Sequence, residues 1–136
     1  MKAVLDTNVF VSGVFFRGPP HAILDAWRRG QVQVVLSAEI IEEYRRVGAL
    51  LAADFPGVDL APMLGLLAVK AEVVAAPPLP EAVCDDPDDD KFLACALAGR
   101  CRTVISGDRA LLRVSGYRGI TVLRPREFVA RHLTPP

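Results

Sequence analysis

Cysteine, net charge and long apolar runs are all in short supply in this sequence, and each shortage removes a class of protein. The three cysteines, Cys84, Cys95 and Cys101, are odd in number and lack both metal-ligand spacing and the density of a disulfide scaffold. They fit a reducing compartment, so a cytoplasmic location is expected. Apolar stretches are broken by charge, proline or glycine well before the roughly 20 residues that a membrane span needs. Met1-Lys2 leads directly into a strand-like run, so neither export nor membrane insertion is expected. Lysine is rare as well, with three in a chain enriched in alanine, proline, leucine and arginine. That bias is read as genome composition rather than function.

The formal net charge is zero, which argues against nucleic-acid binding through overall basicity. If four carboxylates are set aside in a metal pocket, however, twelve acidic side chains face sixteen basic ones, leaving a positive surplus for a polyanionic substrate. At 136 residues and 51% hydrophobic, the chain can bury one core. One domain over 1–136 is expected.

Lys2 to Leu5 has the composition of a short buried strand. A helix can start near Pro20 and run through His21, Ile23, Leu24 and Trp27 to a stop at Gly30. A second strand is predicted at Gln33 to Leu36. Ser37 then caps a helix whose buried stripe is Ile40, Ile41, Tyr44, Val47, Leu50 and Leu51. A helix over Leu60 to Lys70 and a third strand over Glu72 to Val74 follow. The segment with Pro77, Pro78 and Pro80 cannot enter a sheet interior. Asp85 to Asp90 leads into a helix bearing Phe92, Leu93, Ala96 and Leu97, closed by Gly99. Thr103 to Ile105 and Ile120 to Leu123 complete five strands. Strands alternating with helices predict an α/β fold, a three-layer α/β/α sandwich on a parallel sheet with right-handed crossovers.

Four carboxylates stand where a core would prefer none. Asp6 ends the first strand, and ligands of open α/β sheets bind beyond the carboxyl ends of strands; a simple turn cap is the alternative. Glu43 falls within the buried stripe, three after Ile40 and four before Val47, while Glu39 and Glu42 fall outside it. An ionised carboxylate there needs a metal or a partner, with a structural salt bridge to an arginine as the alternative. In the run Asp85-Asp86-Pro87-Asp88-Asp89-Asp90, Asp89 is the inward-facing member, three before Phe92 and four before Leu93. Asp86 or Asp88 suits the N-cap, and Asp85 and Asp90 are expected to face solvent or complement the helix dipole. Asp108 repeats the Asp6 arrangement after the fourth strand, with Gly107 allowing a sharp bend; capping of a short helix through Leu111 and Leu112 is the alternative.

The four can all open on one edge of a parallel sheet. Oxygen-only ligands select Mg2+ or Mn2+ over zinc, and such a cation removes the mutual repulsion of clustered carboxylates. The chemistry this suits is phosphoryl transfer to metal-activated water.

Leu5-Asp6-Thr7-Asn8, Glu43-Tyr44, Asp86-Pro87-Asp88-Asp89 before Phe92-Leu93-Ala94, and Ser106-Gly107-Asp108-Arg109-Ala110-Leu111-Leu112 together resemble the PIN domain. In particular they resemble small stand-alone PIN proteins classed as VapC-like toxins of toxin-antitoxin pairs. The similarity extends along essentially the whole chain, including Arg124-Pro125-Arg126-Glu127-Phe128. The resemblance implies Mg2+- or Mn2+-dependent cleavage of RNA, frequent homodimers and a cognate antitoxin as partner. Carried over, Asp6, Glu43, Asp89 and Asp108 match the acidic quartet. Asn8, Ser37 and Ser106 match the polar positions that hydrogen-bond those carboxylates or metal-bound water. Asp86, Asp88 and Asp90 remain alternatives to Asp89. Gly48 departs from the family pattern and predicts a shorter or kinked helix there.

Arg17 and Arg109 are candidate phosphate contacts, with a solvated face as the alternative. His21 and His132 have no ligand partner at helical spacing, and Trp27 and Cys95 are expected in the core. Two rivals to a metal-dependent nuclease remain. One is a catalytically silent interaction module; the other is a phosphatase, which would want a second aspartate where this chain has Asn8.

Overall fold

A computed structural model describes residues 1–133. Its centre is a five-stranded sheet in the order β3-β2-β1-β4-β5, with every pairing parallel. The strands are β1 (Lys2–Leu5), β2 (Gln33–Leu36), β3 (Glu72–Val73), β4 (Thr103–Ile105) and β5 (Thr121–Leu123). Register is fixed by pairs such as Ala3↔Val34 and Leu5↔Ile105. Ala3, Val4, Leu5, Val34, Val35, Leu36, Val104 and Ile105 are fully buried. Continuous apolar triplets of this kind belong to strands covered on both faces. Val74 keeps a ladder bond to Leu36 O at 2.9 Å, so the third strand ends within one residue of its expected limit.

The helices are α1 (Thr7–Phe15), α2 (Pro19–Arg28), α3 (Ala38–Ala52), α4 (Ala61–Lys70), α5 (Asp90–Ala98), α6 (Arg109–Leu112) and α7 (Pro125–Phe128). From β1 the chain steps outward to β2 and β3, then returns across the sheet to β4 and β5. Right-handed crossovers therefore put α1 to α4 on one face and α5 and α6 on the other, giving an α/β/α sandwich. Strand order reverses between β1 and β4. In such sheets the crevice at that reversal, beyond the carboxyl ends of the strands, is where ligands bind.

Helix α1 is absent from the sequence reading. Its sequence, Thr7-Asn8-Val9-Phe10-Val11-Ser12-Gly13-Val14-Phe15, is dominated by β-branched and aromatic residues with a glycine, a composition that favours strand. Burial of Val9, Phe10, Val11, Gly13 and Phe15 on most sides of the helix overrides that preference, and also erases the one-faced pattern by which a helix is recognised. Gly13 is the crossing point with α2: a Cβ there would sit 2.7 Å from Leu24 Cδ1 and 2.8 Å from the Pro20 carbonyl. Helix α2 starts one residue before the expected Pro20, and Gly30 takes the positive φ that ends the turn after it.

Two expectations for α3 are corrected. Leu50 is not on the buried stripe; it is 70% exposed. The buried row is Ile40, Tyr44 and Gly48, flanked by half-buried Ile41, Val47 and Leu51, and Leu50 lies well round the helix from it. Gly48 neither shortens nor kinks the helix, which runs unbroken to Ala52. It admits Leu60, whose Cδ2 would lie 2.6 Å from a Cβ at that position. Ser37 caps α3 as expected, its Oγ accepting from Ile40 N at 3.4 Å. Trp27 and Cys95 are buried in the core.

Candidate active site

Asp6 follows directly from β1, and its backbone N–H donates to Ile105 O at 2.9 Å, joining the ends of β1 and β4. Its carbonyl accepts the first α1 bonds from Val9 and Phe10, but its side chain caps nothing. Instead Asp6 Oδ2 accepts from the Ser106 hydroxyl at 2.5 Å, and both residues are buried. Ser106 Oγ in turn accepts from Asp108 N at 2.9 Å, and Asp108 Oδ1 accepts from Ala110 N at 3.1 Å, capping α6. Ser106 is thus the hinge that carries Asp6 and Asp108 on adjacent strand ends.

Asp89 enters from the opposite layer. The short 3-10 turn Pro87–Asp89 is capped by Asp86, whose Oδ1 accepts from Asp88 N at 3.0 Å, so Asp86 takes the cap. This leaves Asp89 half-buried with one carboxylate oxygen, Oδ2, fully buried and without a donor. Burial, then a hydrogen bond with Asp108, then the charges of Asp108, Asp6 and Asp86 push its carboxyl from 3.8 up to about 7. Burial also raises Asp6. The Ser106 bond lowers it, while the charges of Asp108 and Glu43 raise it further.

Glu43 arrives on α3, held by its neighbour Tyr44. The Tyr44 ring stacks on Phe10 with centroids 4.3 Å apart, and its hydroxyl donates to Leu5 O at 2.5 Å. The expected alternative for Glu43, a salt bridge, is present, but principally to a lysine. Lys91 Nζ donates to Glu43 Oε2 and Thr7 Oγ1 donates to Glu43 Oε1, while the exposed Arg46 stands 3.8 Å off. Lys91 also bonds Asp88 at 2.9 Å. Burial pulls the Lys91 ammonium down, but its bonds to Glu43 and Asp88 more than offset this and hold it above the usual lysine value. The Lys91 bond keeps Asp88 below the ordinary carboxylate range.

Asp90 is half-buried in the first turn of α5, where it complements the helix dipole as expected, and it accepts from Val83 N and Cys84 N at 3.1 and 2.8 Å, fastening the loop before the 3-10 turn. Asp85 is exposed and pairs with Arg113. Asn8 is exposed, and the Ser37 hydroxyl is used by its helix cap. Arg109 is exposed beside Asp108, whereas exposed Arg17 lies beyond the far end of α1, more than about 13 Å along the helix from Thr7. His21 meets the Gly13 carbonyl and His132 the Phe128 ring. A cavity of about 380 Å3 opens next to the cluster, sharing Asp88, Asp90 and Lys91 with it but none of Asp6, Asp89 and Asp108.

Sequence reading missed Thr7 and Lys91. Stripe counting could not find Lys91, because Lys91 through Ala96 are all buried and α5 has no polar face near its start. The available signal was one of only three lysines, placed directly after a run of acids.

The PIN domain family, compared as a sequence model, matches residues 2–110. The chain belongs to the PIN domain family. PIN domains are generally metal-dependent nucleases. The match contains all four acids and stops before β5 and the closing segment 124–128, so the expected similarity there lies outside it. No curated protein matches the chain. No helix among the described residues is long and apolar enough to cross a membrane.

A hard divalent cation suits this PIN domain's donors. The set is oxygen-only, and the buried Asp89 Oδ2 has no donor against it, an acceptor that a cation would satisfy. Among the described residues no three acidic, histidine or cysteine side chains are already arranged to grip an ion. Some side-chain adjustment would accompany binding.

Proposed function

We propose that this PIN domain is a divalent-metal-dependent endoribonuclease, using Mg2+ or Mn2+ to hydrolyse RNA phosphodiester bonds. The observation that carries the reading is the buried, unpartnered oxygen of Asp89 set against Asp108 and Asp6 at the β1/β4 crevice. A bound cation would supply activated water and neutralise charge on the phosphate. The chain's own residues orient the site's carboxylates: Ser106 holds Asp6, the Ala110 N–H holds Asp108, and Thr7 with Lys91 holds Glu43. Arg109, exposed next to Asp108, would meet a flanking phosphate, with Arg17 as a more distant second contact. The family resemblance extends the proposal to a cytoplasmic toxin restrained by a cognate antitoxin and acting as a homodimer.

The test is cleavage of a mixed RNA panel by wild type and Asp6→Asn, with Mg2+, with Mn2+ and with chelator. Cleavage is expected only in the wild type with metal. Equal cleavage by both proteins would overturn the assignment. A second reading, a catalytically silent interaction module, is favoured by the occupation of both Glu43 oxygens. Absence of cleavage by either protein at millimolar Mn2+ would select it.

A further inference from the structure

Among the described residues Lys91 is the one basic side chain that is buried, and it is buried inside a cluster of acids. Its side chain is 6% exposed, against 13% for Glu43 and 65% for Asp88. An ammonium withdrawn from water is costly unless paired, and Glu43 and Asp88 supply the pairing. As a support for folding alone such a pair is a weak device, since apolar residues of similar volume often serve as well.

What Lys91 does to the four carboxylates is more specific. Glu43 has both oxygens occupied, one by Thr7 and one by Lys91. Asp6 gives Oδ2 to Ser106 and Asp108 gives Oδ1 to Ala110 N. Asp89 keeps a buried oxygen with no donor on it. The most open acceptor of the four carboxylates is therefore Asp89 Oδ2, and the glutamate is the one whose two oxygens are both held, one of them by a buried cation. Arg46, at 3.8 Å and largely exposed, adds only a rim charge.

We propose that Lys91 is a positioning residue and the site's resident counter-ion: it withholds Glu43 from the metal and leaves Asp6, Asp89 and Asp108 to hold it. The proposal rests on the metal-dependent reading above. It also implies that Lys91 loosens metal binding, because the ammonium cancels one of the negative charges a cation would feel.

The experiment is Mn2+ titration by calorimetry, without RNA, on wild type, Lys91→Met and the double variant Lys91→Met/Glu43→Gln, each checked for folding by circular dichroism. Lys91→Met frees Glu43, and Mn2+ is expected to bind about tenfold tighter or more. The double variant removes a neutral pair, and its affinity is expected to stay within about threefold of wild type. Lysine serving only as a structural tie would lower thermal stability without tightening Mn2+ binding, and that result overturns the proposal. So does a loss beyond about threefold in the double variant, because Glu43 would then be a ligand itself. Should Lys91→Met leave too costly an unpaired charge to fold, the double variant, which removes both charges together, decides alone. A wild type that binds no Mn2+ overturns the metal-dependent reading and this proposal with it, whereas binding wild type with unexpected variants overturns only the latter.

Discussion

Ser106 shows how much of this site rests on a single small side chain. Its hydroxyl donates to Asp6 and accepts from the Asp108 backbone, so one oxygen fixes two of the proposed metal-holding residues. Outer-shell groups of this kind typically cost 10–100-fold when removed. Ser106→Ala is expected to lower metal-dependent RNA cleavage by about that factor and to cost about 1–3 kcal/mol of stability, because Asp6 Oδ2 and the Asp108 N–H lose their partner, read by initial rates beside a melting curve. Asp89 gives a second prediction. Its folded-state carboxyl lies at about 7 against 3.8 unperturbed, so between those values the folded protein holds a proton that the unfolded chain has released. Asp89 therefore contributes stability that is fully present below about pH 4 and lost as pH rises through about 7. Without metal, wild type should lose melting temperature relative to Asp89→Asn as pH climbs through that window. A gap between the two that stays constant with pH would sink the argument, and Mn2+ should shrink the loss by taking the proton's place.

At the scale of elements, two glycines set how closely helices approach, and they differ in what a methyl group would meet. At Gly48 the obstacle is the flexible end of Leu60; at Gly13 it is the Pro20 backbone carbonyl as well as Leu24. A side-chain tip can rotate away, but a carbonyl held by a helix start cannot. Gly13→Ala is expected to destabilise the protein by about 1–3 kcal/mol, the range for overpacking. Gly48→Ala should cost less, because either helix gains propensity from the change but only the movable Leu60 side chain opposes it at Gly48. Denaturant melts of the two variants give the comparison directly. The same elements show what a sequence reveals. Four-residue strands with apolar triplets, the Ser37 cap and the Gly30 stop were all legible, since each is a local signal. Helix α1 was not, because its nine residues carry a strand-like composition and its helical state depends on burial against α2 and α3.

For the whole molecule, the balance of charge governs how RNA could be held. With no net charge, affinity must come from local basic groups rather than a global field. Each phosphate contact to a single strand contributes a slope of about 0.7 in the logarithm of affinity against the logarithm of salt. Arg109→Ala is expected to weaken binding to a non-cleavable RNA and reduce that slope by about 0.7. An unchanged slope would place Arg109 outside the RNA path. The switch in strand order between β1 and β4 explains why residues a hundred positions apart, Asp6 and Ser106, share a hydrogen bond. The sheet order brings their strand ends side by side, and α3 and α5 supply Glu43 and Lys91 from opposite layers.

The sequence by itself determined the alternation of strands and helices, hence the parallel sandwich, and it marked Asp6 and Asp108 by the buried strands they terminate. It also picked out Asp89 and Glu43, since a charge on an apolar face is improbable without a purpose or a partner. What each carboxylate meets was decided only by tertiary structure. Lys91 and Thr7 reach Glu43 across 48 and 36 residues, distances over which no local pattern acts. Periodicity reports which way a side chain points, whereas its charge state and its partner depend on what other elements bring to the same place.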